Sequence, residues 1–115
     1  MPFFCFDQNN GFGKFDTDSA KGISCFVVIE AINSYDANCR AEDLGLYFYG
    51  CKSGIDCPCC GDRWHPQRDE DGTKTPEVYS REVQPGQLLD KRGPRFVNGP
   101  QGYIHYLSGE TKSFW

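Results

Sequence analysis

The apolar positions of this 115-residue chain fall into short clusters rather than long stripes, and their spacing predicts strands arranged around a single helix. Phe3-Phe4-Cys5-Phe6 and Phe12-Gly13-Lys14-Phe15 flank Asn9-Asn10-Gly11, a sequence suited to a tight hairpin. Residues 23–32 form an almost continuous β-branched and aromatic run broken by Glu30, as expected of a central strand covered on both faces. Ser34 then offers a helix N-cap, Asp36 a favourable charge in the first turn and Gly45 a stop, so the main helix spans about 34–45. At about 100° per residue, Ala37, Ala41 and Leu44 share one stripe, and the two alanines permit close approach to a sheet. Cys39 projects from the opposite side.

Leu46-Tyr47-Phe48-Tyr49 reads as a returning strand that completes a strand-helix-strand unit. Farther on, Pro76-Glu77-Val78-Tyr79 reads as a short strand. Arg95-Phe96-Val97 and residues 103–107 read as a hairpin about Asn98-Gly99-Pro100-Gln101-Gly102. The chain ends in Phe114-Trp115, two large aromatics that either close the core or form an exposed patch. These elements predict an α+β fold over one domain, residues 1–115, with a small antiparallel-rich sheet, one main helix and a cysteine-rich loop resembling a zinc knuckle.

Composition sharpens this picture. Only 38% of residues are hydrophobic, but 15% are aromatic, so the expected core is small and ring-rich and would benefit from a metal staple. No apolar run approaches the length of a membrane span, and Met1 to Asp7 lacks the charged and apolar regions of a secretory signal. A cytosolic protein without membrane association is expected, in which the seven cysteines stay reduced and the clustered ones act as ligands rather than bridges. Cys5 and Cys25, set among apolar neighbours, read as small buried hydrophobes.

Charge is uneven. Residues 1–50 carry a net −4 and residues 51–90 a net −3, whereas residues 91–115 carry +3. General duplex binding needs several phosphate contacts, which an acidic chain of this size supplies poorly. The Lys91-Arg92-Gly93-Pro94-Arg95 run is the local exception: it suits a phosphate or an acidic surface, or it is simply a solvated loop.

The richest chemistry lies between Cys51 and His65, which holds four thiols and one of the two histidines. Cys57 and Cys60, two residues apart, can turn both sulfurs onto one cation at about 2.3 Å. His65 follows after four residues, continuing the spacing of a nucleic-acid-binding zinc knuckle, but Glu70 stands where that motif requires a fourth ligand. Cys51 can supply the missing thiolate, giving a Cys3His structural zinc site, with His105 as the alternative. The bland reading makes Cys57 and Cys60 reduced thiols in a turn and His65 a solvated side chain. Cys59, flanked by candidate ligands, can be an exposed reactive thiol or a hydrogen-bonded neighbour of the site, but the bland reading is preferred because no sequence feature points to an activated thiol.

Arg63 and Trp64 can stack on a base or grip a carboxylate; otherwise Trp64 packs beneath the loop and Arg63 pairs with Asp62 or Asp56. Catalysis would require Cys59 or Cys39 to meet His65 or His105, a pairing that nothing in the sequence fixes. Asp69-Glu70-Asp71-Gly72-Thr73 has the acidity of a calcium loop without its spaced later ligands and reads as a charged turn.

Taken together, Cys5-Phe-Asp-Gln8, Val28-Ile-Glu-Ala31, Ala37-Asn-x-Arg-Ala-Glu42, Leu44-Gly-Leu-Tyr-Phe48 and Asp56-Cys57-x-Cys59-Cys60-Gly-Asp-Arg-Trp64 resemble a group of small proteins encoded by tailed bacteriophages. The resemblance covers residues 3 to 80 and assigns no role to any single position. It implies a small cytosolic protein of the infected host that binds a host component, with inhibition of an antiviral defence as its sharpest form. A nucleotide or single-stranded nucleic-acid module using Arg63, Trp64, His65, Lys91, Arg92 and Arg95 is the alternative, and a thiol- or metal-dependent hydrolase a further one.

Overall fold

The computed structural model describes residues 1–9, 15–56, 61–86 and 99–115. Strand β1 (Phe3–Asp7) runs antiparallel to β2 (Phe26–Glu30), with Cys5 opposite Val28 and Asp7 opposite Phe26. On its other side β2 pairs in parallel with β5 (Gly102–His105), which is itself antiparallel to β6 (Thr111–Phe114). The order β1-β2-β5-β6 makes a mixed four-stranded sheet, with β3 (Glu77–Val78) and β4 (Arg81–Glu82) forming a separate small hairpin. The predicted α+β class therefore holds. The expected central strand is β2, whose residues Phe26 to Ile29 are fully buried.

Alternation along the strands builds two apolar layers. Phe4, Phe6, Val27 and Ile29 pack with Ala37, Ala41, Leu46 and Trp64 on the side covered by helix α1 (Ser34–Leu44). Phe3, Phe26, Val28, Ile104 and Phe114 pack on the opposite side against Val78 and Val83 of the β3–β4 hairpin. Ala37 and Ala41 are buried on the helix as their spacing predicted, while Leu44 is only half-buried. The chain's two terminal aromatics part company: Phe114 lies in the core, and Trp115 is exposed.

Three local expectations are corrected. Asn33, in extended backbone geometry, is the N-cap, and its side chain accepts from the Asp36 amide at 2.9 Å. Ser34 instead donates its amide to Asp69 Oδ1 at 2.9 Å. Residues 46–49 form no strand. Gly45 closes the helix at φ 120°, and the Leu46 amide then bonds back to the Ala41 carbonyl at 3.0 Å, turning Leu46 into the core. Both edges of β2 are already taken by β1 and β5, so the segment cannot return beside β2 as a strand-helix-strand unit would require. The partner of β5 in a hairpin is β6 rather than residues 95–97, and the connecting turn is 106–110. Residues 95–97 lie outside the described residues, as do 12–14 of the expected N-terminal hairpin; Phe15 is not in a strand, and β1 finds its partner in β2.

Residues 69–71 form a 3-10 turn whose Asp71 carboxylate accepts from the Arg68 amide at 2.8 Å, in keeping with a charged turn. No helix among the described residues is long and apolar enough to cross a membrane. On the helix side of the sheet, Arg40 donates to the carbonyls of Glu30 and Tyr106, tying the ends of β2 and β5 to α1.

Candidate functional site

The cysteine segment is approached through a short helix, α2 (Gly50–Ser53), that follows Tyr49 in a left-handed conformation at φ 57°. Its turn closes when the Ile55 and Asp56 amides both donate to the Gly50 carbonyl, at 2.9 and 3.0 Å. Asp56 then acts as a clamp: Oδ1 accepts from the Tyr47 hydroxyl at 2.8 Å and Oδ2 from the Arg63 amide at 2.8 Å. On the far side of the segment, Asn9 donates its amide to the Arg63 carbonyl and its side chain to the Asp62 carbonyl. Residues 56 and 61–63, the two stems of the Cys57 to Cys60 segment, are thus held to one another and to the end of β1.

Arg63 is the keystone of this arrangement rather than an outward-reaching group. Nε donates to the Tyr47 hydroxyl at 3.1 Å and sits 3.3 Å from Asp16 Oδ2, while Nη1 donates to Gln8 Oε1 at 2.6 Å. Gln8, itself buried, passes its side-chain amide to the carbonyls of Asp16 and Ser24. The Tyr47 phenol is pushed up by burial and by its bond to Asp56, so it stays protonated and keeps donating. Trp64 is only 2% exposed and packs with Phe4, Phe6 and Leu46, so its ring faces the core and not a base or a partner.

Cys51 bonds Asp62, and His65 acts on the charge of the same carboxylate. The Cys51 amide donates to Asp62 Oδ1 at 2.9 Å. This bond, a second from the Cys51 side chain and the nearby His65 together hold the Asp62 carboxyl below its usual range. His65 is exposed and also lies close enough to Asp7 to interact with its charge. Of the four expected zinc ligands, the structure brings Cys51 and His65 to a common neighbour; Cys57 and Cys60, with Cys59, lie outside the described residues. Among the described residues no group of three His, Cys, Asp or Glu side chains is placed to hold a metal. Lys91, Arg92 and Arg95 also lie outside the described residues.

His105 is withdrawn from the ligand set by its own bonds. It is 5% exposed, with Nε2 2.8 Å from the Gly22 carbonyl and Nδ1 3.2 Å from the Thr111 hydroxyl. A carbonyl can only accept, so Nε2 carries the proton and Nδ1 accepts from Thr111, leaving no lone pair for a cation. Burial lowers its pKa below the ordinary 6.5. A folded pKa below the unfolded value means that this group's contribution is present above about 6.5 and is lost as pH falls through the folded pKa. An NMR titration of the His105 ring should give a midpoint below 6.5; a midpoint at or above that value would contradict the neutral, buried imidazole.

Two of the remaining described cysteines, Cys5 and Cys25, are poor nucleophiles. Burial, with help from Asp7, pushes the Cys5 thiol up to about 12, and burial also raises Cys25. Cys39 is half-buried on α1.

What sequence reasoning missed is Tyr79. With Ser80 it occupies the turn between β3 and β4, both residues at positive φ, 51° and 64°. Turns of this hand favour Asn-Gly, because a side chain in the left-handed region costs about 1–2 kcal/mol per residue. Tyr79 is nonetheless held there, its ring edge-on to Phe26 at 5.4 Å and its hydroxyl 3.4 Å from Asp7 Oδ1. Desolvation and the Asp7 charge push this phenol up to about 12. The pattern had no Gly or Asn at positions 79 and 80 to announce a tight turn.

Gly50 sets the clamp's tolerance. A β-carbon there would fall 2.6 Å from Asp56 Cγ and 2.8 Å from the Tyr47 ring. Gly50→Ala should therefore expel the Asp56 carboxylate from both bonds and cost about 2 kcal/mol, read as a lower urea midpoint at unchanged slope. An unchanged midpoint would show that the clamp does not hold the segment.

Comparison with curated proteins and with solved structures finds no significant match. A family model does match, and it spans nearly the whole chain, residues 1–114. The protein carrying this clamped cysteine segment thus belongs to the family described as Domain of unknown function, DUF7296.

Proposed function

We propose that the protein is a non-enzymatic binder that inhibits or redirects a component of its host cell, most sharply an antiviral-defence protein, through the surface surrounding the cysteine segment. The observation that carries this reading is the pair of tyrosines held outward in left-handed backbone: Tyr49 at 60% and Tyr79 at 68% exposure. Backbone strain persists only where its surroundings over-determine it, and it concentrates at functional positions. Exposed tyrosines are the residue type that anchors protein interfaces.

Hydrogen bonds and charge interactions link the residues between them. Tyr79 bonds Asp7, His65 lies near both Asp7 and Asp62, and Asp62 bonds Cys51 in the turn flanked by Tyr49 and by Ile55, itself 62% exposed. Aromatic anchors among carboxylates suit a basic protein surface, and the net negative charge of residues 1–90 favours the same encounter. A structural zinc on Cys57, Cys60, Cys51 and His65 would rigidify the cysteine segment. Its role would be to stiffen the display and add folding free energy.

The test is affinity capture from host lysate by the parent chain and by a Tyr49→Ala/Tyr79→Ala double variant. Retention of one basic protein by the parent, and its loss from a variant with an unchanged melting temperature, is expected. Identical captured sets would overturn the assignment of this face. Native mass spectrometry should find one zinc per chain, and Cys57→Ser or Cys60→Ser should lower the melting temperature by several degrees or more. If either serine variant melts like the parent with and without chelator, the structural zinc is wrong.

A further inference from the structure

A second site lies away from the cysteine segment, where α1 leaves the β5–β6 half of its sheet face uncovered. A cleft of about 480 Å³ opens there between the end of α1, the turn at residues 19–22 and the floor made by β5 and β6. The register places Tyr103 opposite Ser113 and His105 opposite Thr111, so four polar side chains from two strands face the same space. Ser19, Lys21, Asp43 and Leu44 form the walls.

The floor is fixed before any ligand arrives. The chain Thr111 hydroxyl to His105 to Gly22 carbonyl runs from β6 through β5 to the wall, with the imidazole buried and neutral. Gly22 is essential to that closeness, because a β-carbon there would lie 2.6 Å from His105 Cε1 and its φ is 71°. Since the Thr111 proton is committed to His105, its oxygen presents acceptor lone pairs to the cleft. The Tyr103 phenol, raised by burial and by Asp18, remains a donor at neutral pH.

The charges in the cleft oppose one another. The last turn of α1 has no basic residue, but the Lys21 ammonium comes to it from the neighbouring turn, 3.7 Å from where a β-carbon on Gly45 would stand. Lys21 and Asp43 both line the cleft, one ammonium against one carboxylate. With one positive and one negative side chain on its walls, the cleft has no net side-chain charge to draw a simple anion or a simple cation. A neutral ligand with alternating donors and acceptors meets no opposing charge.

From this we infer that the cleft binds a neutral polyhydroxylated ring, as a free pentose or hexose or as the sugar of a nucleoside. The expectation is independent of the partner face proposed above. Isotope-labelled full-length protein would be titrated with ribose, glucose and adenosine, with a sugar phosphate and an amino sugar as charged comparators, while the backbone amides are followed by NMR. At least one neutral arm should shift Gly22, Tyr103, Thr111 and Ser113 saturably, with a dissociation constant of roughly 1–10 mM. A response to the free sugars assigns the source to them, and a response to adenosine alone assigns it to the nucleoside.

Tyr103→Phe and Ser113→Ala, each removing one hydroxyl at a half-buried position, should weaken that binding about tenfold. The inference fails if no neutral arm saturates, if a charged comparator binds more tightly than every neutral one, or if both variants bind like the parent.

Discussion

Trp64→Ala should destabilise the protein by about 3–5 kcal/mol, the range for emptying a fully buried indole site. The ring packs in the layer formed by Phe4, Phe6, Val27, Ile29 and the two helix alanines. These neighbours belong to β1, β2 and α1, so a void there loosens the main sheet and its helix together. The residue also immediately follows Arg63, whose bonds to Tyr47, Gln8 and Asp16 fasten the cysteine segment. Thermal melting should fall by well over 10 °C, since one kcal/mol corresponds to about 4–8 °C in a domain of roughly this size. Amide exchange at Asn9 and Cys51 should accelerate with it. Tyr49→Ala, by contrast, removes an exposed ring and should change stability by no more than about 0.5 kcal/mol. If Trp64→Ala melts near the parent, Trp64 is not the core residue described.

The second large effect concerns Gly102, which the register pairs with Phe114. The Phe114 ring lies across the bare α-carbon: a β-carbon on Gly102 would sit 2.7 and 2.8 Å from its Cε1 and Cε2 atoms. Phe114 is fully buried among Phe26, Val28, Ile104 and Val78, so it has no open rotamer into which to retreat. Gly102→Ala should therefore cost about 2–3 kcal/mol by overpacking, even though alanine has the better intrinsic strand preference. Phe114→Leu alone should also destabilise, but the double variant Gly102→Ala/Phe114→Leu should be more stable than the two single costs predict, by about 1 kcal/mol. Strict additivity in urea unfolding would show that the two positions do not share one volume.

Neither effect is visible from composition. Gly102 sits in a Gly-rich stretch that reads as a turn, and its need for a missing side chain arises only when residue 114, twelve positions later, folds back across it. Trp64 is similarly ambiguous, because an aromatic beside Cys60 and Arg63 suits a stacking platform as well as a buried wedge. The helix side of the sheet decides between them, offering an apolar recess that the small Ala37 and Ala41 leave open.

By itself the sequence determined the parts whose signals are local. The run Phe26 to Ile29 had no polar face to give to water, so it had to be a strand buried on both sides. The alanine spacing and Gly45 marked one helix and its stop. Tertiary structure alone decided what depended on distant partners. It chose Asn33 over Ser34 as the cap, with Asn33 extended and accepting from Asp36 while Ser34 is already the first helical residue, and it paired β5 with β2 in parallel across more than seventy residues. It also committed Arg63 to Tyr47 and Gln8, and it spent both nitrogens of His105 on Gly22 and Thr111. A side chain's chemical potential is written in its residue type, but whether that potential faces solvent or is consumed inside depends on groups that only the folded chain brings within about 3 Å.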